Sequence, residues 1–246
     1  MVTCRYVGQT GNHLFTAAAA MAVAIRNNDE FLSPHQTQSK VLWKFYLTHL
    51  PKYNNRPAIR RVYNEQIFGY YGRIPYTKDM CLSGYYQSYL HFWDVKDKVL
   101  SGLKFPHWSN EPLDYTAIHV RRGDYVSLSH KHPPVSIEYL VKAMGCYHEN
   151  EEFMFFSDDI EWCKDHFGTE LNIEFSEGKS AIEDMELISR AKNVIISNST
   201  FSYWGAMFNK QGGQVITPHK DNWFGPGNKH LSTEHLLPPH WKQIKY

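Results

Sequence analysis

The segment best equipped for chemistry is His119-Val120-Arg121-Arg122-Gly123-Asp124. Arginine presents a planar fork of donors that matches two phosphate oxygens, and it stays charged at any working pH. Two arginines leaving the C-terminal end of an apolar strand, predicted over residues 115–120, would point into the crevice where a doubly wound domain binds its ligand. A paired cation at that place can neutralise a departing pyrophosphate without a metal ion. Asp124 is placed to orient one arginine and keep it from swinging into solvent. The plain alternative for an R-R-x-D string is a solvated surface salt bridge. The strand directly upstream argues against it.

Further clusters carry candidates. Asp184 follows Glu183 on a predicted helix, where it can accept hydrogen bonds from a guanine edge or a ribose, or sit on a solvated helix face. Asn198-Ser199-Thr200 follows a predicted strand and opens the next helix. Its hydroxyls and backbone N–H groups suit an anion as well as they suit a helix N-cap, and both readings stand at this point. The same N-S-T string is a glycosylation sequon, a role rejected because it falls at the strand ends of a sheet. Ser157-Asp158-Asp159 offers adjacent carboxylates for Mg²⁺, but Ser or Asp ahead of Glu161 and Trp162 reads more simply as a helix cap.

The elements that must position these residues are plainest in the second half. Strand-like runs at 115–120, 153–156, 172–175, 194–197 and 214–217 alternate with helical patterns at 136–147, 160–167, 180–191 and 202–208. Alternating short apolar strands and helices predict a parallel sheet covered on both faces. The first half opens with a strand at 3–7, a tight turn at Gly8-Gln9-Thr10-Gly11, and a helix from an N-cap at Asn12 to about Arg26. That is the first half of a β-α-β unit. Beyond it, helices are predicted near 41–50 and 93–103 within a Tyr-, Arg-, Pro- and Gly-rich stretch of no clear period. The division falls between 101 and 111, giving domains 1–110 and 111–246, with a last helix that can cross back.

Composition narrows the classes. A formal net charge of +1 over 246 residues excludes general affinity for nucleic acid or anionic membrane, so any bound anion needs a local cluster. Cys4, Cys81, Cys146 and Cys163 show no zinc-ligand spacing and read as free thiols. The apolar run at 14–25 is shorter than the ~20 residues a membrane span requires, and it is preceded by little basic charge. It reads as a buried helix, which leaves no signal peptide or transmembrane anchor and predicts a cytoplasmic protein.

Taken in order, several of these segments resemble the α-1,2-fucosyltransferases of glycosyltransferase family 11. The resemblance is carried by H-V-R-R-G-D-Y at 119–125, F-S-D-D-I-E-W-C at 156–163, E-D-M-E-L-I-S-R-A-K at 183–192 and I-I-S-N-S-T-F-S-Y-W-G-A at 195–206. G-Q-T-G-N-H-L-F at 8–15 looks like a degraded form of the family's G-G-L-G-N-Q-L-F. The resemblance implies an α/β fold of GT-B type, with two Rossmann-like halves, parallel sheets and a cleft between them. The first half would face the acceptor and the second would bind GDP-sugar.

The implied reaction is inverting, metal-independent transfer of fucose from GDP-β-L-fucose to a galactose O2 of a glycan acceptor, with no cofactor. Arg121 would hold the pyrophosphate, with Arg122 and Asp124 stabilising that loop. His119 and Asp184 would face the guanosine, Ser199, Thr200 and Phe201 would line phosphate and base, and Asn12 would approach the donor across the cleft. Gln9 stands where the family has its second glycine, a poor fit if that position needs a positive φ. His13 stands where glutamine is usual. For the proton of the acceptor hydroxyl, Asp124, His13 and no base at all stay open. Rival readings are a transferase for another nucleotide sugar and a non-catalytic glycan-binding protein on the same scaffold. The missing anchor fits a microbial or viral enzyme.

Overall fold

The structure, a computed structural model, describes residues 1–34, 50–54, 58–105, 107–169 and 172–246. The chain divides into two compact units, Met1–Trp108 with Glu234–Leu237, and Ser109–Thr233 with Pro238–Tyr246.

In the first unit, strands β1 (Val2–Arg5), β2 (Arg61–Asn64) and β3 (Met80–Ser83) form a parallel sheet in the order β1-β3-β2. Helix α1 (Thr10–Arg26) follows β1 and is buried along residues 14–24, six of them alanines. Small side chains let neighbouring backbone approach closely on every side of this helix. One such neighbour is α2 (Lys96–Leu103), where a β-carbon on Gly102 would meet Met21 Cε at 2.4 Å. The apolar run at 14–25 is therefore core helix. Among the described residues no helix is long and apolar enough to cross a membrane. Arg26, in the last turn, donates to the His91 carbonyl and pairs with Asp94, which suits the negative end of a helix. The segment Glu234–Leu237 is tied to this unit by His235, whose carbonyl accepts from Ser88 Oγ at 2.7 Å and from the Tyr89 N–H at 3.2 Å.

Three expectations change here, and a fourth falls outside the described residues. The N-cap of α1 is Gln9 rather than Asn12, which lies inside the helix. The stretch after α1 holds two strands, β2 and β3, that lack a clear sequence period. The helix predicted near 41–50 falls almost wholly outside the described residues. The helix expected at 93–103 is a single 3-10 turn (Trp93–Val95) running into α2.

The second unit holds a six-stranded sheet, parallel throughout. Its strands are β4 (Leu113–Val120), β5 (Phe153–Ser157), β6 (Ile173–Phe175), β7 (Ala191–Ile195), β8 (Val215–Pro218) and β9 (Lys242–Ile244), ordered β6-β5-β4-β7-β8-β9. Between them run α3 (Gly123–Ser127), α4 (Ile137–Met144), α5 (Ile160–Phe167), α6 (Ala181–Arg190) and α7 (Thr200–Met207). Ile118, Val120, Tyr139, Leu140, Phe155 and Ile195 are fully or almost fully buried in one core, with Phe155 stacked on Phe167 at 5.0 Å. Burying each such side chain contributes roughly 1.5–3 kcal/mol. Helix α6 starts on a capping box, in which Ser180 accepts from the Glu183 N–H and Glu183 from the Ser180 N–H. The chain ends in strand β9 beside β8, not in a helix.

Candidate active site

The sheet order of the second unit fixes where a ligand can sit. From β4 the chain builds outward through β5 and β6 on one side, then returns to lay β7, β8 and β9 on the other. The order reverses between β4 and β7, and in open parallel sheets that reversal opens a crevice beyond the strands' C-terminal ends. His119, near the end of β4, bridges this point. Its Nδ1 shares a 2.9 Å hydrogen bond with Ser197 Oγ, just past β7, and its ring lies 5.1 Å from that of Phe201. Burial, and secondarily the charge of Arg121, push the His119 pKa down to about 3, so the imidazole is neutral.

Register explains the next cluster. His119 pairs with Phe156 and Val120 with Ser157, so the residues leaving β4 and β5 emerge side by side. Arg121 Nη1 pairs with Asp158 Oδ2 at 2.8 Å, while its Nη2 reaches Asp124 Oδ1 at 2.6 Å. The Arg122 N–H donates to Asp158 Oδ1 at 2.8 Å, and Arg122 Nε to Asp159 Oδ2 at 2.9 Å. The Arg122 guanidinium also lies over the Trp162 ring at 4.1 Å. Arg121 keeps 30% of its side-chain surface exposed against 19% for Arg122, which leaves Arg121 the more available to a ligand.

The Ser157-Asp158-Asp159 string thus differs from its expected role. Asp159 is the N-cap of α5 by position but makes no side-chain cap bond. Both carboxylates hold the arginine loop instead. Sequence reasoning missed this because the pairing depends on β5 lying next to β4.

Ser199, Thr200 and Phe201 open α7. Ser199 is its N-cap, accepting from the Phe201 N–H at 3.3 Å, so the cap alternative holds for that hydroxyl. Asn198, 1% exposed, spends its amide on the carbonyls of Pro133 (2.9 Å) and Trp223 (3.0 Å). Tyr125, beside Arg121 at 5.5 Å, donates its hydroxyl to the Asn198 carbonyl at 3.3 Å, and burial pushes its pKa up to about 12. The loop after β4 is thereby joined to the loop after β7. Asp184 lies in the first turn of α6, close enough to the Tyr115 hydroxyl on β4 to act on it electrostatically. It accepts from Ser176 Oγ at 2.7 Å, and burial raises its carboxyl.

In the first unit, the turn after β1 corrects another expectation. The positive φ falls on Gly8 (77°), whereas Gln9 is extended with φ −104°. Glutamine at position 9 therefore carries no backbone strain. Gly8 is also where space is short, since a β-carbon there would meet Asn12 Nδ2 at 2.2 Å. Asn12 Oδ1 accepts from Gln87 Nε2 at 2.8 Å, which links the first turn of α1 to the loop after β3. His13 stacks on Tyr6 with ring centroids 4.8 Å apart. Burial lowers its pKa, partly offset by a hydrogen bond with the Gly8 backbone.

The sequence model of glycosyl transferase family 11 matches residues 5–244. The O-antigen biosynthesis glycosyltransferase WbnK of Escherichia coli is 35% identical over 129 residues, covering 48% of this chain and 42% of that protein. An alpha-1,2-colitosyltransferase of the same organism is 36% identical over 144 residues, 52% of this chain and 47% of its own length. Bovine galactoside alpha-(1,2)-fucosyltransferase 1 is 28% identical over 136 residues, 51% of this chain and 37% of its own. The chain thus spans less than half the length of these relatives. Among solved structures, NodZ alpha-1,6-fucosyltransferase soaked with GDP-fucose has a TM-score of 0.51 at 13% identity, covering 90% of this chain and 95% of that one. POFUT1 in complex with GDP-fucose also has a TM-score of 0.51, at 12% identity, covering 87% and 95%. These likenesses are of fold, and the fold is the α/β arrangement of parallel sheets called GT-B.

Proposed function

The chain belongs to glycosyl transferase family 11, and from that premise we propose that it transfers fucose from GDP-β-L-fucose to the O2 hydroxyl of a galactose, forming an α-1,2 link.

 The single observation that carries the reading is the place and setting of Arg121: a partly exposed guanidinium at the β4–β7 reversal point, held by its neighbours at the end of the central strand. The leaving group of such a transfer is a diphosphate, and a fixed guanidinium beside it stabilises the charge that develops as the bond breaks.

In this reading the acceptor oxygen bonds to the anomeric carbon from the face opposite GDP, while the bond from that carbon to the diphosphate oxygen breaks and its electron pair leaves with GDP. The configuration inverts. Neutral His119, fixed by Ser197 and facing Phe201, takes the guanosine side with Ser199, Thr200 and Asp184. The acceptor's proton is assigned to His13, which burial keeps in its neutral, proton-accepting form. Asp124 is less available for that proton because its Oδ1 is already taken by Arg121 Nη2 at 2.6 Å. Metal-independence is supported by the commitment of Asp158 and Asp159 to the two arginines.

A second reading, transfer of another sugar from its nucleotide, is favoured by the likeness to an alpha-1,2-colitosyltransferase. The glycan-binding alternative loses one of its supports, since Gln9 sits without strain.

The test is GDP release from GDP-fucose over a panel of galactose-terminated acceptors with EDTA present. Release that depends on added Mn²⁺ or Mg²⁺ overturns the metal-free reading. Thermal stabilisation by a different sugar nucleotide in preference to GDP-fucose moves the assignment to the second reading.

A further inference from the structure

We propose that Asp124 occupies on Arg121 the place a phosphate oxygen of the nucleoside diphosphate takes, and that Asp158 is the positioning residue that holds Arg121 through the exchange. The inference rests on Arg121 being the diphosphate ligand, as the functional reading has it.

The charges in the cluster pose the problem. Arg121 and Arg122 contribute two positive charges and Asp124, Asp158 and Asp159 three negative ones, so the group carries a net charge of −1. A diphosphate approaching this group gains little until a carboxylate withdraws. The three carboxylates are not equally free to do so. Asp159 pairs with Arg122 and leaves Arg121 untouched. Asp158 is engaged on three sides: Oδ2 on Arg121 Nη1 at 2.8 Å, Oδ1 on the Arg122 N–H at 2.8 Å, and its carboxylate packed on Gly123, where a β-carbon would come within 2.2 Å. Asp124 holds Arg121 through one oxygen, on Nη2, and its side chain is 52% exposed. It lies in the first turn of the short α3, and it can swing into water without uncovering a buried group.

Exchange on Nη2 alone keeps the other half of the fork on Asp158, so Arg121 stays aimed while its partner changes. Asp124 then acts as a placeholder that keeps the guanidinium extended before the donor arrives.

The two aspartates are therefore expected to act on ligand affinity with opposite signs. Asp124→Asn removes a competitor worth no more than an exposed ion pair, so GDP should bind about threefold tighter. Asp158→Asn must turn an NH2 group toward either Arg121 Nη1 or the Arg122 N–H, setting donor against donor. GDP should then bind on the order of tenfold more weakly.

The experiment is calorimetric titration of the wild type, Asp124→Asn and Asp158→Asn with GDP, with inorganic pyrophosphate and with guanosine at one ionic strength. Pyrophosphate is expected to follow the GDP order, and guanosine to bind all three proteins alike, which a general loss of structure in Asp158→Asn would not allow. GDP binding by Asp124→Asn that is equal to or weaker than wild type overturns the exchange. Because Asp124 is exposed, that variant keeps the test decisive even if Asp158→Asn fails to fold. The expected order without any GDP release from GDP-fucose leaves the exchange standing and fails the functional reading. Intact transfer with the order reversed fails the exchange alone.

Discussion

Gly123 and Asp158 touch so closely that a β-carbon on residue 123 would stand 2.2 Å from Asp158 Oδ2. No carboxylate tolerates that approach, so Gly123→Ala must push Asp158 away from the Arg122 N–H and from Arg121 Nη1. The expected outcome is a donor KM raised about tenfold, with stability lowered by about 1 kcal/mol for the lost hydrogen bond. Steady-state kinetics and thermal unfolding check the two parts separately.

Arg121 is the one guanidinium in the cluster that divides its two Nη atoms between different carboxylates. Arg121→Ala is expected to abolish turnover, a loss of roughly 3–4 kcal/mol or more in transition-state stabilisation. Arg121→Lys keeps the charge but not the fork, and it should fall between the wild type and Arg121→Ala. Retained transfer in Arg121→Ala would sink the assignment of this residue to the diphosphate.

The turn after β1 separates two positions that the motif alone does not distinguish. Gly8 has φ 77° and no room for a β-carbon beside Asn12, whereas Gln9 has φ −104°. Gly8→Ala should destabilise the protein by about 1–2 kcal/mol or more, because strain and clash act together. Gln9→Gly should instead be close to neutral or cost up to about 1 kcal/mol through the added freedom of the unfolded chain. Thermal melts of the two variants decide it.

These positions also show what the sequence could and could not reveal. Five strands of the second unit were legible as short, mainly apolar runs, as in Ile118, Phe155 and Ile195, whereas β9, Lys-Gln-Ile with no buried residue, was not. Strand β2 was not, since its residues are exposed or half-buried and show no inward face. Strand β3 had a signal, three apolar residues (Met80-Cys81-Leu82) bounded by Asp79 and Ser83-Gly84, but it was hidden in a tyrosine-rich stretch. Within the site, the arginines and the N-S-T string were visible as residue types. The roles of Asp158 and Asp159 were not, because they follow from the pairing of β4 with β5, and strand order is not written in local pattern. A Gly-to-Gln departure looked costly at position 9 only until the dihedral angles placed the left-handed residue at Gly8.

His119 gives a pH prediction with a definite sign. Its folded pKa is depressed to about 3, first by burial and then by Arg121, so the unfolded chain takes up a proton below about pH 6.5 that the folded protein refuses. Its contribution is complete above that pH and is lost as the pH falls from there toward 3. The slope is at most about 1.4 kcal/mol per pH unit for this one group. His119→Gln should show a correspondingly shallower loss of unfolding free energy between pH 6 and pH 4 in denaturant titrations, pH values chosen to lie roughly between the two pKa values. An unchanged slope would mean that His119 titrates normally in the folded protein.

His13 bears on the chemistry itself. It stacks on Tyr6 at 4.8 Å, and burial lowers its pKa below the ordinary histidine value, with the Gly8 backbone pulling partly the other way. A base must be unprotonated to act, so activity that depends on His13 should hold as the pH drops past about 6.5 and fail only at a lower pH. His13→Asn should lower kcat by about a hundredfold and remove that acid limb from the pH profile. The two effects belong together, since a residue that only packs against Tyr6 would lower kcat or stability without reshaping the profile. Wild-type kcat and an unaltered limb in His13→Asn would instead assign the proton to solvent, the outcome for a transition state loose enough to need no base.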